Sequence, residues 1–358
     1  MTMDGAMSAL LPILREFDLP GQPLSCSCPS GGHINRTFRL HYPERDYILQ
    51  RINTAVFRQP RELMRNILTV TGHLRGKILQ RGGDPERETL TPVFARDGAA
   101  FLVDAEGQYW RCFLYVRDSR CYEGKVPPEQ FGKCGRAFGY FLAQLADLPA
   151  DTLSVTIPDF HHTCRRMLRF QAVLRQDPAG RAALVREEAE ALSSRSRYAE
   201  LYRRLTGPQG LPLRVVHNDA KLTNILFDAA SDEPLCIIDL DTVMPGLSVC
   251  DFGDAVRFGA CSSAEDEPDT DKVRFLPEQY EAYRRGFLAG CGDTLTEAER
   301  EMLPCGALLI TYEQALRFLT DYLEGDVYYH TDRPAQNLDR ARVQLRLLAG
   351  MEAYFPPI

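Results

Sequence analysis

Two short apolar runs, LRVV and ILFD, enclose eight mostly polar residues, His217-Asn218-Asp219-Ala220-Lys221-Leu222-Thr223-Asn224. A strand, a tight loop and a second strand in so short a span confine the polar groups to one sheet-borne turn. The loop matches H-x-D-x-x-x-x-N, the spacing that phosphoryl transfer uses. Asp219 is the carboxylate that takes the acceptor's proton. Asn224, five residues on, offers a neutral amide oxygen to Mg²⁺, a hard cation that favours oxygen ligands. Lys221 reaches the γ-phosphate as a point charge. His217 braces the loop by hydrogen bonding. The bland alternative is a polar surface turn between two strands.

A second acidic stretch weakens that alternative. Fifteen residues past Asn224, IIDLD places Asp239 at the end of an apolar strand and Asp241 two residues later. A carboxylate at that strand end is expected to be the second Mg²⁺ ligand. By the period of two, Asp241 faces the same side and is a further metal ligand or a substrate contact. The literal Asp251-Phe252-Gly253 lies too far along and follows a turn, so Asp251 and Asp254 are expected as helix caps or as braces for the catalytic loop.

The surrounding pattern predicts an α+β, bilobal fold of the protein-kinase type. Residues 24 to about 116 are strand-rich: LSCSCPSGGHINRTFRLHY holds two short strands around a Gly-Gly turn, and DYILQRIN, TPVFAR, AAFLVDA and QYWRCFLYV follow. Between them Leu63, Ile67, Val70, Leu74 and Ile78 recur at helical spacing, and Gly82-Gly83 ends that helix. After residue 120 the pattern turns helical, over FGKCGRAFGYFLAQLADL, 163–206, about 277–323 and 337–353. The expected division is a nucleotide-binding lobe over 1–115 and a catalytic and substrate-binding lobe over 116–358. A doubly wound α/β fold fits less well, because the early strands lack intervening helices.

In the first lobe, Gly31-Gly32 is either a turn whose amides approach phosphate or a plain hairpin. No G-K-[ST] follows it, so it is no Walker loop. The third strand lacks the lysine expected there, and Gln50 and Arg51 are the candidate phosphate contacts. Glu62, early on the next helix, is an ion partner for Arg51 or a solvated helix acid.

The 358 residues carry a net charge of −7, which argues against a nucleic-acid backbone as partner. No run approaches a membrane span, and the acidic start of MTMDGAMSALLPILREF is unlike a signal peptide. Eleven scattered cysteines, with no zinc-type C-x-x-C, fit reduced thiols in a cytoplasmic protein. The oligomeric state is left open.

The motifs HNDAKLTNILFD, IIDLDTVMPGLSVCDFGDAVRFGA and ALRFLTDYLEGDVYY, with GGHINRTF and YILQRINTAVFRQPRELMRNI before them, resemble the N-acetylhexosamine 1-kinases. These are anomeric sugar kinases of the aminoglycoside-phosphotransferase-like superfamily. The resemblance implies ATP and Mg²⁺, GlcNAc or GalNAc as acceptor, Asp219 as base, and Asn224 and Asp239 as metal ligands. It also implies that Arg317 and Tyr328 line the sugar site. The residues alone read differently: Arg317 lies between Glu313 and Asp321 in a helix-surface ion ladder, and Tyr328 is a loop aromatic. Two other functions stay open, a kinase of another small alcohol (an aminoglycoside, choline or another sugar) and a nucleotide-binding pseudokinase module, which the missing strand lysine motivates.

Overall fold

The computed structural model describes residues 3–29 and 34–357, so the Gly31-Gly32 turn lies outside the described residues. The chain is α+β and divides into two compact units. The first comprises Met1–Cys121, Asp147–Pro158 and Ile225–Met244; the second comprises Tyr122–Ala146, Asp159–Asn224 and Pro245–Ile358.

The first unit is built on an antiparallel sheet. Its strands are Ser25–Ser27 (β1), Arg36–His41 (β2), Tyr47–Arg51 (β3), Pro92–Val93 (β4), Leu102–Val103 (β5) and Tyr109–Leu114 (β6). They pair in the order β1-β2-β3-β6-β4, with β5 also on β6. Alternation along β2 and β3 turns Phe38, Leu40, Tyr47 and Leu49 inward, where they meet Phe17, Leu19, Trp110 and Cys112 in one core. Helix Pro60–Gln80 follows the predicted spacing: Leu63, Ile67, Val70, Leu74 and Ile78 are all buried. Its end is set by Gly82, whose φ of 76° suits a residue without Cβ. A smaller sheet starts with Ser119–Cys121 (β7). Beyond Arg214–Val216 (β8), which lies in the second unit, come Ile225–Asp228 (β9) and Pro234–Ile237 (β10), paired in the order β10-β9-β7.

Asp239 does not end this strand directly. β10 stops at Ile237, Asp239 adopts a left-handed conformation (φ 57°, ψ 58°), and Leu240–Thr242 form a 3₁₀ turn. The alternation that would set Asp241 beside Asp239 is therefore broken. Asp239 is exposed, whereas Asp241 is buried.

The second unit is helical. Helix Leu303–Glu324, 22 residues long and almost wholly buried, runs through it and ends at Gly325 with φ 98°. Around it lie helices Thr163–Gln176, Ser248–Gly259 and Gln336–Tyr354. The helical stretch expected over about 277–323 comprises three helices, with a break at Gly292 (φ 54°). Helices Pro128–Gln144 and Pro277–Cys291 pack backbone against backbone. A Cβ on Gly139 would strike the Phe287 carbonyl, and one on Gly286 would strike the Gly132 carbonyl. No helix among the described residues is long and apolar enough to cross a membrane, and all eleven cysteines are free thiols.

These contacts separate glycines that are required from those that are not. A Cβ added to Gly76, on the open face of helix Pro60–Gln80, would meet no atom within 4 Å. In urea unfolding, Gly76→Ala is expected to gain about 0.5–1 kcal/mol. Gly139→Ala, set against carbonyl oxygen, is expected to lose about 1–3 kcal/mol.

Candidate active site

The loop after β8 owes its shape to buried carboxylates elsewhere in the second unit. Asn218 takes φ 63°, a conformation that costs energy outside glycine. Asp251, in the first turn of helix Ser248–Gly259, accepts from the backbone N–H of His217 at 2.7 Å and of Asn218 at 2.6 Å, holding the strained peptide. Asp251 is thus a brace for the loop, one of the two roles expected for it. Burial raises its carboxyl above the usual range, against the pull of His217 and these two bonds. His217 is fully buried between the edges of Phe138 and Phe141, and its Nδ1 accepts the Asp219 N–H at 3.3 Å.

A second brace is invisible in the sequence. His161 bonds the Glu313 carboxylate through Nδ1 at 2.9 Å and the Asn218 carbonyl through Nε2 at 3.2 Å. Both partners are acceptors, so the ring serves them fully only when doubly protonated. Burial works against that charge, but Glu313 outweighs it and the His161 pKa is raised. Burial also works against the Glu313 charge, yet His161 and Thr163 hold its pKa below the ordinary value. The signal available in the sequence is a lone acid in the apolar run LLITYEQALRFL; no periodicity marks His161.

Within this frame Asp219, Lys221 and Asn224 come together. Asn224 Nδ2 donates to the Asp219 backbone carbonyl at 2.8 Å and to Oδ2 at 3.0 Å. The carbonyl can only accept, so the amide nitrogen faces it and the amide oxygen points away from it. Lys221 Nζ pairs with Asp219 Oδ1. Burial disfavours both charges, but each partner outweighs it: Asp219 is held below the usual carboxylate range, and Lys221 is raised, with Asp254 adding to the effect. Asp219 is accordingly an ionised acceptor at neutral pH. Asp254 itself pairs with Arg257.

Farther along helix Leu303–Glu324, the expected ion ladder is absent. Glu313 serves His161 and Thr163. Asp321 accepts from the backbone N–H groups of Val327, Tyr328 and Tyr329 at 2.7–3.0 Å. Arg317 instead bonds the neutral amide of Gln314 at 2.7 Å and lies 5.5–5.8 Å from the ring centres of Phe160, Tyr328 and Tyr329. Burial lowers its pKa, and the tyrosines and Glu313 raise it further than that. Tyr328 is 60% exposed, so its ring is open to a ligand. Phe160 touches His161, which contacts the Asn218 backbone carbonyl, so a chain of contacting residues runs from Arg317 to the residue before Asp219.

The remaining candidates sit in the first unit. Both ends of the Gln50 amide are engaged: Oε1 accepts from Arg111 Nε at 3.0 Å, and Nε2 donates to Thr37 at 3.1 Å. Arg51 is half-buried at the end of β3. Glu62 pairs with Arg65 and accepts from Ser154, so it is not the partner of Arg51. Asp241 takes a bidentate bond from Arg111, whose charge inside the apolar strand QYWRCFLYV is the signal that sequence reasoning missed.

No group of three or more His, Cys, Asp or Glu able to hold a metal is assembled among the described residues. Mg²⁺ is commonly held by one or two protein oxygens together with phosphates; the Asn224 amide oxygen, in the second unit, and the carboxylate of the exposed Asp239, in the first, are each oxygen donors of that kind.

Residues 26–295 match the APH phosphotransferase enzyme family, so the chain belongs to that family and is a phosphotransferase. Solved structures share the fold. A microcompartment-associated aminopropanol kinase is 20% identical with a TM-score of 0.61, covering 97% of each chain. The amicoumacin kinase hAmiN, in complex with AMP-PNP, Ca²⁺ and Ami, is 13% identical with a TM-score of 0.62, covering 97% of this chain and 96% of that one. An aminoglycoside phosphotransferase from Alicyclobacillus acidocaldarius is 14% identical with a TM-score of 0.58, covering 95% and 94%.

The His161–Glu313 link makes stability depend on pH. A raised histidine pKa stabilises fully below the unfolded value near 6.5 and ceases to as pH rises through the folded value. The depressed Glu313 contributes above its unfolded value of 4.5. His161→Gln is therefore expected to lower the unfolding midpoint most near about pH 6, with the gap narrowing toward about pH 9. Thermal denaturation across that range measures it.

Proposed function

We propose that this phosphotransferase uses ATP and Mg²⁺ to phosphorylate the C1 hydroxyl of N-acetylhexosamines, GlcNAc or GalNAc. The observation that carries the choice of acceptor is the Arg317 guanidinium, which faces three aromatic rings and a neutral amide instead of a carboxylate. Arg166 adds a second positive charge, close enough that Arg317 helps to lower its pKa, after burial. A polycationic aminoglycoside or a choline would be repelled there; a neutral sugar, able to accept from a guanidinium and stack on Tyr328, would not. The motif likeness in ALRFLTDYLEGDVYY points to the same acceptor.

Asp219 orients the anomeric hydroxyl and accepts its proton late, since that hydroxyl is more acidic than an ordinary alcohol. Lys221 neutralises charge on the transferring group. Asn224 and Asp239 are assigned as the protein's ligands to Mg²⁺, which when bound offsets the charge of the phosphates. Residues 1–115 are assigned to nucleotide binding, with Gly31, Gly32 and Arg51 toward the phosphates, and 116–358 to catalysis and the sugar. Because the Gln50 amide is engaged at both ends, its part in that lobe is to hold Arg111.

Phosphorus NMR after incubation with ATP, Mg²⁺ and a panel of acceptors tests the proposal. A sugar 1-phosphate from GlcNAc or GalNAc is expected; ADP formed with an aminocyclitol and not with either hexosamine overturns it. Asp219→Asn is expected to lower turnover about 10²–10⁴-fold with ATP binding retained. Unchanged turnover would remove Asp219 from this role. Asp321→Ala, which frees three N–H groups of the Tyr328 loop, is expected to raise the sugar KM well above any change in the ATP KM.

A further inference from the structure

We infer that Arg111 is a positioning residue for Asp239, acting through its buried ion pair with Asp241. This rests on the assignment of Asp239 to the metal.

The geometry lies wholly within the first unit. Arg111 stands on β6 directly opposite Gln50 of β3, which in turn stands opposite Thr37 of β2. Hydrogen bonds run along this row, from Gln50 to Thr37 and from Arg111 to Gln50. The guanidinium then forks onto Asp241, Nη1 to Oδ1 at 2.5 Å and Nη2 to Oδ2 at 2.9 Å, with both side chains 2% exposed. Asn35 adds a bond to Oδ2 at 2.6 Å and is itself fixed by the Asn53 N–H at 3.0 Å. Two residues beyond, the Val243 carbonyl accepts from Asn66 on helix Pro60–Gln80 at 3.1 Å.

The turn that begins at Asp239 is thus pinned to the sheet at Asp241 and to the helix at Val243. On its other side β10 holds the chain as far as Ile237. Asp239 sits between these anchors in a left-handed conformation, which aspartate tolerates better than most residues and which still carries a cost that the anchored turn offsets. A bidentate Arg–carboxylate pair fixes orientation as well as distance. As a source of stability such a pair is poor, because stripping water from two charges offsets their attraction, and apolar residues of similar size often serve as well. What apolar residues would not supply is the directional hold on the turn. β3, the strand on which a phosphate-binding lysine is expected, carries Gln50 and Arg51 instead, and the buried cation one strand away is turned to Asp241.

The test uses the full chain and Mn²⁺ as probe, its binding in the presence of AMP-PNP followed by EPR. Asp239→Asn serves as reference and is expected to weaken Mn²⁺ binding. The double variant Arg111→Met with Asp241→Leu is expected to unfold near the wild-type midpoint yet bind Mn²⁺ about 10-fold more weakly or worse, with metal-free AMP-PNP affinity unchanged. Wild-type Mn²⁺ affinity in that folded variant overturns the inference and leaves the metal role of Asp239 standing. Should it fail to fold, Arg111→Lys keeps the charge and loses the fork; weakened Mn²⁺ binding supports the inference and wild-type binding overturns it. If Asp239→Asn binds Mn²⁺ as the wild type does, the metal assignment itself falls, and the inference with it.

Discussion

The loop that carries Asp219 depends on Asp251. Two of the loop's backbone N–H groups, on His217 and Asn218, would be orphaned by the left-handed turn at Asn218, and this one carboxylate takes both. A buried carboxylate with nothing to accept would be costly, and a strained peptide with nothing to hold it would relax. Together they fix where Asp219 begins. The His161–Glu313 pair closes the other side by taking the Asn218 carbonyl, so Asn218 is held at both of its backbone polar groups.

The same arrangement recurs around the proposed metal carboxylate. Asp239 is left-handed as Asn218 is, and a buried ion pair stands behind it as Asp251 stands behind the loop. In each case an exposed or half-exposed polar group is presented by strained backbone, and the restraint comes from charges that meet neither solvent nor substrate. Preorganisation of this kind sets the orientation of the reacting groups before a ligand arrives.

Much of this can be read from residue order, for a physical reason. Helix Pro60–Gln80 and strands β2, β3 and β6 bury one face or one stripe, and burial imprints a period on the sequence. The catalytic loop is legible because its chemistry requires particular side chains at short spacing. What stays hidden depends on contacts distant in the chain. Strand alternation places Asp241 beside Asp239, but the strand has already given way to a 3₁₀ turn. Helical spacing gives Arg317 a ladder that Glu313 and Asp321 do not supply, because each is drawn to partners more than five residues away. Arg111 and Asp241 are 130 residues apart, and no local pattern joins them.

Helix Leu303–Glu324 has a consequence of its own. Its Glu313 steadies the turn that carries the proposed base, its Arg317 faces the rings that would meet the acceptor, and its Asp321 ties down the loop of Tyr328. These three lie one turn apart on a single rigid rod. Under the proposed function, recognition and chemistry share one mechanical part, and a change made along it for a new acceptor is expected to be felt at Asp219. A lineage changing its substrate would find the free adjustments on the exposed loop around Tyr328, and the rod itself closed to drift.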